Sequence, residues 1–194
     1  METMTGYTVF LDRDGVVNHD SDAYIKQPDE FHFIPKSPDA IALLNAQGFQ
    51  VILITNQSAV GRGMISGQTL DAIFKKMTRG VGQAGGRIKD IFFCPHAPDQ
   101  GCGCRKPNPG MILQAVDRHG IDLNKAFMVG DSAKDIECGK NAGCAVTILV
   151  KTGNWEKALA ALKKKGIVPD FLARDLYEAA CWITANFPPG DMVS

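Results

Sequence analysis

Two acidic residues stand two positions apart, Asp12 and Asp14, in the run Leu11-Asp12-Arg13-Asp14-Gly15 that follows a short apolar stretch. At extended spacing their carboxylates share one face. Gly15 permits a tight turn that brings backbone N–H groups inward. Carboxylates this close repel one another unless a cation or a shared proton intervenes. A hard cation such as Mg²⁺ takes oxygen ligands and keeps several waters. Val129-Gly130-Asp131 offers a third carboxylate after another apolar run, and Asp135 lies one helical turn further on. Thr55-Asn56-Gln57-Ser58 contributes a hydroxyl, side-chain amides and backbone N–H groups, and Lys106 a compact positive charge. A carboxylate can attack phosphorus and form an aspartyl phosphate, while cations and donors hold the phosphoryl oxygens. Asp14 is spaced to protonate a leaving oxygen and then to activate water. Taken singly, Asp12 and Asp14 would suit a turn, Thr55 a helix N-cap and Lys106 the surface. Their joint placement at the ends of apolar runs is what reads as a site.

Cys94-Pro95-His96 is followed by Cys102-Gly103-Cys104. Three thiols and one imidazole make a full tetrahedral zinc set, which leaves no open position for water and marks the metal as structural. Gly101 and Gly103 allow the tight backbone that such spacing needs. The site ends one residue before Arg105-Lys106, so a clamped loop would fix where those cations point. Cys138, Cys144 and Cys181 have no ligand-like partners and read as small buried residues.

The elements that must hold these groups alternate between strand-like and helix-like. Apolar runs at residues 7–11, 49–54, 91–94, 126–129 and 145–150 predict strands. Between them, 69–77, 111–118 and 135–141 predict helices, and Ser37-Pro38 predicts an N-cap with proline at the first helical position. That helix closes near Gly48. Near-continuous apolar strands separated by helices predict a doubly wound, mainly parallel α/β sheet covered on both faces. Ligands bind such sheets beyond the carboxyl ends of the strands. Asp12, Thr55 and Asp131 each follow a predicted strand, so all three are expected at one rim. Residues 155–187 read as two helices around Pro169-Asp170, with Leu159, Leu162, Leu176, Tyr177 and Trp182 as core.

The length of 194 residues suits a single domain, 1–194, with the zinc loop at 94–104 and only short connections elsewhere. No separate cap domain is expected, so water would be excluded by the loops at 18–26, 61–67 and 94–105. Basic and acidic residues balance at 21 each, and no basic block marks a partner nucleic acid or membrane. No run approaches a membrane span, and residues 1–8 lack the pattern of a leader peptide. The six cysteines are not spread as a disulfide framework, which points to a reducing, cytoplasmic location. A monomer is expected.

The motifs Asp12-Arg13-Asp14-Gly15, Thr55-Asn56-Gln57-Ser58, Arg105-Lys106-Pro107 and Gly130-Asp131-Ser132-Ala133-Lys134-Asp135, in that order, resemble the haloacid dehalogenase-like phosphatase superfamily. The resemblance implies Asp12 as nucleophile, Asp14 as general acid/base, and Thr55 and Lys106 as phosphoryl stabilisers. It implies Mg²⁺ on the side chains of Asp12 and Asp131 and on the carbonyl of Asp14, with Asp135 supporting from behind. Together with the Cys94–Cys104 loop, the motifs resemble the subfamily of heptose-bisphosphate and histidinol-phosphate phosphatases, the heptose enzymes more closely. That resemblance implies removal of the C7 phosphate of D-glycero-D-manno-heptose 1,7-bisphosphate, in the supply of activated heptose for lipopolysaccharide or surface glycans. Expected substrate contacts are Asp20 and Tyr24 at the sugar, Asn56, Gln57 and Ser58 near the phosphoryl group, and Arg105 on a second phosphate. Ser132 stands where some relatives carry a basic residue, and the next cation is Lys134.

Histidinol phosphate is the alternative substrate. A receiver-type signalling domain shares the phosphorylatable aspartate, but Asp14 beside it would speed hydrolysis and spoil a lasting signal. A zinc-nucleated nucleic-acid module is disfavoured by the neutral charge balance.

Overall fold

A computed structural model describes residues 6–153 and 155–188. Residues 1–5 of the stretch read for a leader peptide, and the ends of the single domain assigned as 1–194, lie outside the described residues. The strands are β1 (Thr8–Leu11), β2 (Gln50–Asn56), β3 (Asp90–Cys94), β4 (Ala126–Gly130), β5 (Val146–Val150) and β6 (Phe171–Ala173). The helices are α1 (Ser37–Ala46), α2 (Ser58–Gly61), α3 (Gly67–Gln83), α4 (Gly110–His119), α5 (Ala133–Ala142), α6 (Trp155–Lys164) and α7 (Leu176–Asn186). The strands form one six-stranded sheet in the order β3-β2-β1-β4-β5-β6, every pair parallel. Their buried, Val- and Ile-rich sequences suit a sheet covered on both sides.

Alternate strand residues serve opposite faces. Val9, Leu11, Val51 and Leu53 join Ile41, Leu44, Ile73 and Ile183 in one core. Phe10, Ile52, Ile54 and Met128 join Met111, Ile112, Ala115 and Cys138 in the other. A smaller cluster of Ile136, Leu149, Ala158 and Leu162 docks α6. Among the described residues no second domain is inserted between the strands.

Several local readings are corrected. Ser37 is the first residue of α1 and not its cap; Lys36, at φ 63°, takes the cap position. The Ser37 hydroxyl instead donates to the Val17 carbonyl at 2.6 Å, tying α1 to the loop after β1. Helix α3 continues past Met77 to Gln83. Gly80 looks like a breaker in the sequence, but a Cβ there would fall 2.4 Å from the Phe33 ring, so its small size admits that ring. Ser66 caps α3 by accepting from the Thr69 amide at 3.1 Å. The C-terminal stretch is not two helices alone, because β6 lies between them on the sheet edge beside β5. Its three residues are too few for period-2 alternation to show. Cys138 and Cys144 are buried as expected, but Cys181 is exposed on α7. Of the C-terminal residues read as core, Leu162 and Leu176 are fully buried, while Leu159, Tyr177 and Trp182 are half-buried against the clusters.

At the end of the sheet remote from Asp12, Phe127 packs on Tyr7, Phe49 and Phe187 with ring centroids 5.9, 6.0 and 4.9 Å away. Phe127→Ala is expected to cost about 3–5 kcal/mol, a fall in Tm of roughly 10 °C for a chain of this size. Thermal unfolding reads that fall. Activity measured well below the transition should be unchanged, because the cavity opens at the opposite end from the acids.

Candidate active site

The parallel register aligns the strand ends. Leu11 lies beside Leu53 and Val129, and Asn56 beside Cys94. Asp12 therefore emerges next to the ends of β2 and β4, where the strand order reverses direction, which is where such sheets bind ligands. Strand β2 runs on to Asn56, so Thr55 lies inside it rather than after it.

One oxygen from each of Asp12, Asp131 and Asp135 lies within 4.8 Å of the others. Lys106 reaches into this cluster. Its Nζ is 2.7 Å from Asp12 Oδ1 and 2.6 Å from Asp135 Oδ1, and it donates to the Ile54 carbonyl at 2.9 Å. Lys106 is buried and carries a raised pKa: burial works against its charge, and Asp12 and Asp135 more than compensate. Burial pushes Asp12 up to about 7, with Lys106 opposing and Asp135 and Asp14 reinforcing. Burial, then repulsion from Asp135 and Asp12, pushes Asp131 up to about 8. The Asp131 carboxylate is gripped by backbone: a Cβ at Gly15 or Gly153 would fall 2.1 or 2.2 Å from its Oδ2. Gly15 also holds φ 81°, which only glycine adopts readily. Asp135 Oδ2 accepts from the Ser132 amide and hydroxyl at 3.0 and 2.6 Å, which caps α5 and turns that hydroxyl toward the helix.

Asp14 sits apart from the cluster in a net of donors. Arg13 Nε and Nη2 approach Asp14 Oδ1 at 3.1 and 2.6 Å, and Nη2 reaches Oδ2 at 2.8 Å. Asn18 Nδ2 donates to Oδ1 and Gln57 Nε2 to Oδ2, each at 2.9 Å. Gln57 also donates to Thr55 Oγ1 at 2.9 Å. Thr55 and Gln57 are thus buried in an internal network, and only Asn56 and Ser58 of that motif reach the cleft. Arg13 has no role in the reading from sequence. Asn18 opens the 18–26 loop expected to wall the site, but it is buried and points inward. A charged residue between two site acids was the available signal for Arg13.

The thiols and imidazole of the cysteine–histidine loop converge. Cys104 Sγ lies 3.2 Å from Cys94 Sγ and 3.4 Å from Cys102 Sγ, and His96 Nδ1 lies 3.3 Å from Cys104 Sγ. A zinc tetrahedron with Zn–S of about 2.3 Å has sulfur–sulfur edges of about 3.8 Å, close to these spacings. The three thiols share protons: burial opposes ionisation at Cys102, but hydrogen bonds from Cys104 and the Arg105 amide outweigh it and bring Cys102 down to about 6. Burial pushes Cys94 up to about 12 and Cys104 upward. Asn56 latches this loop to β2, accepting from the Lys106 amide at 3.1 Å and donating to the Lys106 carbonyl at 3.3 Å. Arg105 Nη1 donates to the His96 carbonyl at 2.9 Å.

These groups floor an open cleft of about 890 Å³. Asp20, Asp22 and Tyr24 form one wall, and Tyr24 holds the left-handed φ 64° that non-glycine residues rarely adopt. Arg105, Lys134 and Lys157 line the cleft as well. Residues 61–67 do not line it. Gly61 instead braces the zinc loop through its amide, which donates to the Pro95 carbonyl at 3.0 Å. The wall expected there comes from Thr152, Gly153, Lys157, Ala158 and Ala161 after β5.

A family model described as "HAD-hyrolase-like" matches residues 103–179. A D-glycero-beta-D-manno-heptose-1,7-bisphosphate 7-phosphatase from Bordetella bronchiseptica is 50% identical over 152 residues, covering 78% of this chain and 84% of the relative. The Pseudomonas putida enzyme of the same name is 46% identical, covering 78% and 86%. The crystal structure of the D,D-heptose 1,7-bisphosphate phosphatase from B. bronchiseptica, complexed with magnesium and phosphate, superposes with a TM-score of 0.86 at 44% identity, covering 93% of this chain and 99% of that one. With the parallel sheet and the acid cluster at its carboxyl edge, this makes the chain a haloacid dehalogenase-like phosphatase. Within that superfamily it belongs to the family of the heptose-1,7-bisphosphate 7-phosphatases.

The crowded acids generate a pH prediction. Raised native pKa values at Asp12 and Asp131 mean that the folded chain holds more protons than the unfolded one between about pH 4 and pH 8. Stability without metal therefore falls as pH rises through that window. A divalent cation at the acids replaces the protons. The metal-free Tm should be higher near pH 5 than near pH 8, and added Mg²⁺ should raise Tm more at the higher pH. Calorimetry of chelator-treated protein checks both, and a metal-free Tm that climbs toward pH 8 refutes the acid cluster's repulsion.

Proposed function

We propose that this enzyme hydrolyses the C7 phosphate of D-glycero-D-manno-heptose 1,7-bisphosphate and leaves the anomeric phosphate in place, in the supply of activated heptose for lipopolysaccharide or surface glycans. The observation that carries the reading is the convergence of Asp12, Asp131, Asp135 and Lys106 on the cleft floor at the sheet's carboxyl edge. The relatives' names support the substrate.

In this reading Lys106 holds Asp12 Oδ1 and leaves the second carboxylate oxygen to attack phosphorus. The bond between phosphorus and the C7 oxygen breaks, and Asp14 gives that oxygen its proton. Water then attacks the phosphorus of the aspartyl phosphate, returns a proton to Asp14, and releases inorganic phosphate with Asp12 restored. The side chains of Asp12 and Asp131 and the Asp14 carbonyl are the groups that would hold Mg²⁺, whose contribution when bound is to offset phosphoryl charge. The acid set fits it, being short of positive charge and made of hard oxygen donors. Asp135 acts from behind through Lys106 and Ser132. Cys94, His96, Cys102 and Cys104 would hold a structural Zn²⁺.

The two charged walls fit a bisphosphate. Arg105 offers a planar fork for the second phosphate, and Lys134 and Lys157 add positive charge to the same cleft. Asp20 and Tyr24 face the sugar hydroxyls. Asn56 and Ser58 border the phosphoryl group, Ser132 shapes the same rim through α5, and Thr55 and Gln57 act from beneath it. The partner is a small phosphorylated sugar and the working form a cytoplasmic monomer; the free thiols fit a reducing compartment. No helix among the described residues is long and apolar enough to cross a membrane.

Phosphate release across heptose 1,7-bisphosphate, histidinol phosphate and fructose 1,6-bisphosphate tests the substrate. The heptose should lead histidinol phosphate in kcat/KM by roughly tenfold or more, the worth of a lost charged contact. A lead for histidinol phosphate overturns the choice, and a long-lived phosphoprotein favours a signalling role instead.

Removing zinc should lower kcat/KM by about tenfold or more, because Arg105 and Lys106 then lose conformational freedom on binding that the clamped loop has already given up. The Mg²⁺ concentration for half-maximal activity should not move. Unchanged turnover in zinc-free protein refutes this role.

A further inference from the structure

Arg13 is only 1% exposed, yet the reaction scheme gives it no task. Its guanidinium faces the Asp14 carboxylate on one side, and its central carbon lies 6.0 Å from the centre of the Phe74 ring on α3. Its carbonyl accepts from the amides of Val16, Val17 and Asn18 at 3.3, 2.8 and 3.2 Å, so the whole turn winds around this residue. Nη1 is buried with no hydrogen-bond partner. An unmatched buried N–H is costly, and a buried ion pair is poor evidence of stabilisation, since an apolar replacement is often neutral or better. Burial of this cation is therefore hard to explain as a stability device.

Geometry offers another explanation. Asp14 is part of a chain that runs from Arg13 through Asp14 and Gln57 to Thr55, each link at hydrogen-bonding distance. We infer that Arg13 is a positioning residue: held against Phe74, it orients the Asp14 carboxylate, which Gln57 braces from the other side. This rests on the reading of Asp14 as the group that protonates the leaving oxygen. Arg13 does not touch the substrate, and it is absent from the cleft lining. Misplacing a reacting group by about 1 Å can cost roughly a hundredfold in rate, so the effect belongs in kcat.

The test is a set of variants read by single-turnover release of the leaving group from two substrates. Heptose 1,7-bisphosphate has a poor leaving group that needs a proton, whereas p-nitrophenyl phosphate has one that departs without. Arg13→Met should slow sugar release by about 10- to 100-fold with KM little changed. Release of p-nitrophenol should slow less than about threefold, because the first step then bypasses Asp14. Arg13→Lys should recover part of the loss, a point charge lacking the fork. Phe74→Leu, which leaves the ion pair in place, should give the same split more weakly, and it carries the test if Arg13→Met does not fold. On an Asp14→Asn background Arg13→Met should add nothing, since residues acting through one group are not additive. Equal slowing of both substrates, an additive double mutant, or unchanged sugar release overturns the inference. Full activity of Asp14→Asn instead removes the assignment of Asp14 on which it stands.

Discussion

Lys106 occupies the middle of a buried acid cluster, 2.7 Å from Asp12 and 2.6 Å from Asp135, with Asp131 close by. Three carboxylates and one ammonium leave two negative charges uncompensated, which is the charge of one divalent cation. With Lys106 and Asp135 buried, such an imbalance at the cleft floor is costly, and protons or a metal would offset it. The raised pKa values of Asp12 and Asp131 are the protonic answer in the absence of metal. Asp14 stands outside the three-acid set and pairs with Arg13 at 2.6 Å, although its charge still adds to the push on Asp12. Two acids two residues apart thus lie in different electrostatic surroundings, the condition for one to bond phosphorus while the other handles protons.

Around this centre the scaffold spends little on flexibility. Parallel register aligns the ends of β1, β2 and β4, and Asn56 ties the cysteine–histidine loop to β2 through both backbone groups of Lys106. Gly61 braces the same loop from α2. Gly15 and Tyr24 hold positive φ at the site, and Arg13 and Asn18 carry unpartnered buried atoms there. Such strain persists where the surrounding structure over-determines it. With no inserted cap among the described residues, discrimination falls to the charge of the cleft walls, acidic at Asp20 and Asp22, basic at Arg105, Lys134 and Lys157.

Much of this was readable in the chain. Apolar runs bounded by glycine or polar residues located five of the six strands, because buried parallel strands need continuous apolar sequence. The acid cluster and the cysteine–histidine cluster were legible because ligand chemistry admits few residue types at short spacing. Weak local signals failed: β6 is three residues long, Gly80 masked the last turns of α3, and Ser37 looks like a cap while serving as a tie to Val17.

By itself, then, the sequence determined the layered α/β class, the acids that meet at one rim and the cysteines and histidine that cluster in one loop, since each follows from residue type and spacing. Tertiary structure alone decided where polar side chains point. Gln57 turns inward to join Asp14 to Thr55, and Arg13 enters a pocket beside Phe74. Those directions depend on which helix packs over which strand, and contacts between residues dozens of positions apart leave no local pattern in the chain.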